Sequence, residues 1–218
     1  LPGVSLQNAL AGITFIRSRP DILGTIALDL FAVLLGGVTA MLPIFARDVL
    51  TVGPVGLGFL RSAPSVGAAL VAFCLAHRPL EEKAGKVMLV SVAVYGFAAV
   101  VFALSRNFFL SIAVLMVLGG ADMCGQSVRQ TMVQLGTPDF MRGRVSAVTS
   151  LSVNTANQLG QVESGLAAAI FGVIPSVILG GLGSVLVALI WAHKFPGLGR
   201  IDLSVRGIDA LTAEAEAE

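Results

Sequence analysis

The stretch Phe108-Phe-Leu-Ser-Ile-Ala-Val-Leu-Met-Val-Leu-Gly-Gly-Ala-Asp-Met-Cys-Gly-Gln-Ser-Val-Arg-Gln-Thr-Met-Val-Gln134 is apolar from Phe108 to Gly120 and yet carries Asp122 and Arg129 in its second half. A helix rises 1.5 Å per residue, so ~20 mostly apolar residues cross a hydrocarbon core ~30 Å thick. The run is long enough to do so. Outward from it lie further stretches of the same kind: Ile22 to Ala46, Gly56 to Ala76 and Val87 to Leu104 on one side, Val145 to Phe171 and Val173 to Ala192 on the other. The expected fold is an all-α integral membrane protein with six transmembrane helices. Short connections rich in Gly, Pro and charge separate them, and none is long enough to hold another domain.

Composition agrees. Of 218 residues 56% are hydrophobic and 12% charged, and the mean hydropathy is +0.89, against roughly a quarter charged in soluble domains. Three regions are expected: 1–21 as a cytoplasmic linker, 22–195 as the six-helix bundle, and 196–218 as a polar cytoplasmic tail ending Ala-Glu-Ala-Glu-Ala-Glu and disordered by composition. Within the linker, Leu10, Ile13 and Ile16 fall near helical spacing before Arg17 and Arg19, which suits a short amphipathic helix on the membrane surface. A start at Leu1 and the length are those expected of part of a larger protein.

Several function classes are disfavoured. The net charge of +1 comes without a basic stripe, so nucleic acid is not an expected partner. Cys74 and Cys124 lie inside apolar runs without CxxC spacing, which points away from a disulfide framework or zinc. The two histidines, His77 and His193, sit at span ends, and no metal spacing, nucleophile pair or nucleotide loop is present. Neither an enzyme nor a cofactor is expected.

Alternate connections lie on opposite sides of a bilayer. One side collects ten basic residues: Arg17, Arg19, Arg78, Lys83, Lys86, Arg142, Arg144, Lys194, Arg200 and Arg206. The other has only Arg47 and Arg106. Since cytoplasmic loops are enriched in Lys and Arg, both termini are expected in the cytoplasm.

Ionisable groups within spans are costly and tend to face a cavity or a partner. Asp29, Arg61, Asp122, Arg129 and Glu163 are such groups; the third and sixth spans carry none. The order charged, charged, neutral therefore occurs twice, and Gly36-Gly37 and Gly119-Gly120 mark the first span of each triplet. Two triplets beginning on opposite sides form a 3+3 inverted repeat, a plan shared by many secondary transporters.

Helical rise puts Asp29 ~10 Å and Asp122 ~9 Å from the cytoplasmic edge, hence at one level. Arg129 is within reach of either acid. Arg61 and Glu163 fall toward the outer surface, where they are candidates for a gate or a structural ion pair. Asp122, Gln126, Arg129 and Gln130 share one helical face. In the fifth span Asn154, Asn157, Gln158 and Gln161 form an amide stripe, open between a substrate-lining face and hydrogen bonds between helices. A ladder of small residues, Ser152, Ala156, Gly160, Ser164, Ala168 and Gly172, occupies another face and permits close packing. Burial favours the neutral form of a carboxylate. Asp29, without a basic neighbour on its own helix, is thus a candidate proton carrier, whereas Asp122 with Arg129 also reads as a satisfied pair.

The connection His77-Arg-Pro-Leu-Glu-Glu-Lys-Ala-Gly-Lys86 resembles the loop motif Gly-x-Leu-Ala-Asp-Arg-x-Gly-Arg-Arg of the major facilitator superfamily. Leu80, Glu82, Lys83, Gly85 and Lys86 occupy its Leu, Asp, Arg, Gly and Arg positions; Arg78 and Glu81 depart from it. Leu135-Gly-Thr-Pro-Asp-Phe-Met-Arg-Gly-Arg-Val-Ser-Ala-Val148 resembles the Pro-Asp-x-x-Arg-Gly-Arg loop of the enterobactin-exporter-like subgroup, and Pro138 after Thr137 suits a helix start. Leu28-Asp-Leu-Phe-Ala-Val-Leu-Leu-Gly-Gly37 and Glu163-Ser-Gly-Leu-Ala-Ala-Ala-Ile-Phe-Gly172 are similar to that subgroup too.

The resemblance implies the C-terminal half of a twelve-helix major facilitator fold in the inner membrane, partnered by an N-terminal six-helix half. It implies proton-coupled efflux of a small molecule, siderophore-like or drug-like, by alternating access. Asp29, Asp122, Gln126, Arg129, Asn154, Gln158 and Gln161 would line the cavity or couple protons. Glu82, Lys83, Gly85, Lys86, Arg142 and Arg144 would form a cytoplasmic latch. The competing expectation is a non-transporting membrane subunit that binds a partner through the Asp122 and Asn154 faces.

Overall fold

Apolar segments in lipid must satisfy their own backbone polar groups, and a helix does so within one segment. The computed structural model describes residues 13–77 and 84–194; within them every regular element is helical. After a helical stretch at 13–18 come α1 (Pro20–Leu35), α2 (Val38–Ile44), a π-helical turn (Phe45–Val49), α3 (Gly53–His77), α4 (Ala84–Leu104), α5 (Phe108–Leu135), α6 (Asp139–Phe171) and α7 (Val173–Lys194). Five segments are long and apolar enough to cross a membrane by length and composition: Ile22–Val49, α3, α4, α5 and α7. At 33 residues α6 is longer than any of them, but its amides and charges dilute its hydropathy.

Helix ends follow local chemistry. The Asn107 side-chain oxygen accepts the backbone N–H groups of Phe109 (2.9 Å) and Leu110 (3.2 Å), satisfying donors at the start of α5. At the other end of α5 the Thr137 hydroxyl donates to the Val133 carbonyl at 2.6 Å. Pro138 then stands at the N-cap of α6, so this helix begins at Asp139 and not at Val145. Arg142 and Arg144 consequently belong to its first turns and not to a loop. Gly172, at φ +90°, makes the one-residue reversal into α7, a conformation L side chains disfavour.

The connection expected over Arg47 to Val55 is much shorter, because the π-helical turn continues the first span to Val49 and α3 starts at Gly53. The first span is also interrupted, at Gly36–Gly37. Leu10, Arg78, Leu80, Glu82, Lys83 and the tail 196–218 lie outside the described residues.

α3 packs on α5, α5 on α4, α4 on α7, and α7 on both α1 and α6, while α1 packs on α6. The ladder of small residues does what its spacing suggests: Gly160 lies under the Val33 and Leu34 carbonyls, and Ser164 lies against Gly37. The apolar core forms three clusters. Phe45 and Phe102, with ring centroids 4.7 Å apart, anchor one with Leu60 and Leu115. Leu28, Met88, Val128 and Val187 belong to a second. Ile22, Ile26, Val133 and Val145 belong to a third. Ile16 is buried in that third cluster, so the helical stretch before α1 packs onto the bundle instead of resting only on a membrane surface.

Candidate functional site

Asp29 and Arg129 are both buried, 6% and 5% exposed, and the Arg129 Nε lies 3.0 Å from Asp29 Oδ2 across the α1–α5 interface. Their contact is ionic and not an aligned hydrogen bond. The interior cation has thus chosen the acid of the other helix. Asp122 is left to Gln126, whose side-chain N–H donates to Asp122 Oδ2 at 2.7 Å one turn along α5. Arg129, within reach of either acid by helical rise, is thus placed on Asp29, which has no basic neighbour on its own helix, and not on Asp122. Spacing along α5 allows both pairings, and packing of α1 decides between them.

The two acids nevertheless face one space. Both line a cavity of about 230 Å³ together with Gly36, Ser91, Tyr95, Gly119, Gln126 and Asn157. Its walls come from the first span and from α3, α4, α5 and α6. Gln130, placed on the Asp122 face by periodicity, is exposed, and Arg129 turns away from the cavity toward Asp29. From the amide stripe Asn157 reaches the cavity, whereas Asn154, Gln158 and Gln161 are exposed.

Two polar lining residues of the third span escaped the sequence reading. Tyr95, the single tyrosine of the chain, donates its hydroxyl to the Gly36 carbonyl at the break between α1 and α2. Ser91, one helical turn before it, is 7% exposed, and among the described residues its hydroxyl makes no hydrogen bond. Both sit in the third span, classed as neutral because only charges were weighed. The available signal was a lone phenol in mid-span, since a buried Tyr hydroxyl needs an acceptor.

Arg61 and Glu163 do not pair. Each is exposed, Glu163 takes only a 3.5 Å contact from the Ser164 hydroxyl, and no ion pair joins them. Their helices have different neighbours: α3 packs on α5, α6 on α1 and α7. Of the motif residues, Gly85 is buried and Lys86 exposed at the start of α4. Arg142 meets Asp139 at 2.8 Å and donates to the Gln134 carbonyl at 3.2 Å, tying α6 to the end of α5. Arg144 contacts the Met141 sulfur at 3.7 Å.

Long apolar helices around an acidic interior cavity define a multi-pass membrane protein with a polar interior. The chain belongs to the transmembrane secretion effector family of the major facilitator superfamily, whose pattern it matches over residues 5–206. That superfamily consists of transport proteins, not enzymes. Similar proteins include the enterobactin exporters EntS of Shigella dysenteriae serotype 1 (strain Sd197), Escherichia coli O1:K1 / APEC and Escherichia coli O157:H7 (strain EC4115 / EHEC). Each is 24% identical over 185 residues, covering 85% of this chain and 44% of the relative. The chain thus spans less than half the length of these relatives.

Proposed function

We propose that this chain is the C-terminal half of a twelve-helix secondary transporter of the bacterial inner membrane. It exports a small molecule by alternating access, with protons as the coupling ion. The observation that carries the reading is the cavity at the level of Asp29 and Asp122, where one carboxylate is neutralised by Arg129 and the other keeps only an amide partner. Protonating a carboxylate that has no cation partner strands no buried cation, whereas protonating Asp29 would leave Arg129 unpaired. Asp122 is accordingly the proton carrier. Asp29 and Arg129 hold the first and fourth spans together.

A 3+3 inverted repeat is supported by the packing pattern. Exchanging the first span for the fourth, the second for the fifth and the third for the sixth turns α3–α5 into α6–α1 and α4–α5 into α7–α1, and leaves α4–α7 unchanged. Counting α6 as a sixth span follows from this symmetry: it is the counterpart of α3. Its polar surface, with Asn154, Gln158 and Gln161 exposed, suits the seam with a second half. The excess of basic residues on one side supports a cytoplasmic position for both termini. There Glu82, Lys83, Gly85, Lys86, Arg142 and Arg144 latch the two halves in one state of the cycle.

The test is transport by the complete reading frame in proteoliposomes. A proton gradient is expected to drive uptake of at least one member of a siderophore and drug panel, with Asp122→Asn abolishing the coupling. No gradient-driven movement of any member, or unchanged coupling in that variant, overturns the proposal. An upstream frame encoding six more helices is expected; a frame without them favours a non-transporting subunit.

A further inference from the structure

The groups around Asp122 are unevenly supplied with hydrogens. Tyr95 has committed its only hydroxyl hydrogen to the Gly36 carbonyl, so its oxygen presents lone pairs. Gln126 points an N–H at Asp122 Oδ2, and no hydrogen bond to Oδ1 is made among the described residues. Ser91 stands on the cavity wall, and its hydroxyl makes no hydrogen bond among the described residues. It is therefore available to a ligand or water in the cavity.

Charge points the same way. No Lys, Arg or His lines the cavity, and the nearest cation, Arg129, is held by Asp29. The wall therefore carries one uncompensated negative charge and several acceptors. Among the described residues no group of three His, Cys, Asp or Glu is placed to hold a metal ion. At about 230 Å³ the space exceeds that of one water, whose share of liquid volume is ~30 Å³.

We infer that this cavity binds the protonated amino group of an organic amine, with Asp122 as its counter-ion and Ser91 and Tyr95 as acceptors for its N–H groups. An ammonium brings donors and a positive charge, which are what the wall lacks; an anionic substrate would meet Asp122 unshielded. The inference rests on the transporter reading and narrows it to amine-bearing substrates.

The experiment uses the complete reading frame in lipid nanodiscs and three dansyl probes that differ in one group: dansylcadaverine with a free primary amine, its neutral N-acetyl derivative, and an anionic dansyl aminohexanoate. Fluorescence titration is expected to show the amine binding about tenfold or more tighter than the other two, the worth of one charge-assisted hydrogen bond. Asp122→Asn is expected to remove that preference and leave the acetylated probe unchanged. Ser91→Ala is expected to weaken the amine about threefold, as for one neutral hydrogen bond. Equal binding of all three probes, or an amine preference that survives Asp122→Asn, overturns the inference. Should Asp122→Asn not fold, Ser91→Ala decides, and unchanged amine affinity there overturns it. Proteoliposomes that pump only anionic or neutral members of the panel, with no amine binding, sink this inference and leave the transporter reading standing. Amine binding through Asp122 without transport of any panel member does the reverse.

Discussion

The first and fourth spans carry the same two marks in sequence, an acid and a glycine pair, and the fold treats them in opposite ways. At Gly36–Gly37 the helix breaks, and the Gly36 carbonyl takes the Tyr95 hydroxyl and the Val38 N–H. At Gly119–Gly120 the helix runs through without interruption, since α5 extends from Phe108 to Leu135. There the missing side chain serves approach: a Cβ on Gly119 would strike the Pro64 backbone of α3. A glycine pair in a membrane helix thus marks a close neighbour. Whether the helix also breaks depends on a group nearby that can bond the carbonyl at the break, and only the first span has a tyrosine there.

The acids differ in the same sense. Both line the cavity, but Asp29 is locked to a cation while Asp122 has only an amide for company. Stability is where the contrast breaks most sharply. Asp29→Asn strands Arg129 as a buried charge, and a loss of about 3–5 kcal/mol is expected. Thermal unfolding in detergent reads it, and adding Arg129→Gln is expected to restore most of the loss. A recovery no larger than the error would show that the pair does not hold the two spans.

Next in size is Gly119→Ala, which forces α3 and α5 apart at backbone level and is expected to cost about 1–3 kcal/mol. Gly58→Ala on α3, with nothing within 4 Å of its added carbon, serves as the neutral control in the same assay. Tyr95→Phe takes one of two donors from the Gly36 carbonyl and is expected to cost about 1 kcal/mol. Hydrogen exchange should quicken across 36–40 and stay unchanged across 119–123. Equal quickening at both glycine pairs would erase the distinction between them. The smallest effect on stability belongs to Asp122→Asn. Its amide oxygen still accepts from Gln126, so a change under about 1 kcal/mol is expected. In the transport assay the same variant is expected to have the largest effect, and that inversion between Asp29 and Asp122 is the sharpest form of the comparison.

Much of this was legible beforehand. The span boundaries at Leu104, Phe108 and Phe171 coincide with helix ends, because Asn, Gly and Pro stop helices through local chemistry. The common depth of Asp29 and Asp122 followed from rise per residue alone. So did the ladder from Ala156 through Ser164, which packs on α1 as its spacing suggests. Arg61 with Glu163 was not legible: depth places two residues at one level without saying which helices adjoin. Tyr95 and Ser91 were missed because a neutral polar group in a span becomes informative only once its partner, or the lack of one, is seen.

That this chain is helical and membrane-embedded is legible from hydropathy and helical period, which are properties of contiguous residues. Which acid Arg129 neutralises, where the first span breaks and which of the two cavity carboxylates keeps no cation are settled only when the helices pack. Those choices depend on contacts between α1, α4 and α5, whose residues lie far apart along the chain, and spacing along any one helix leaves them equal.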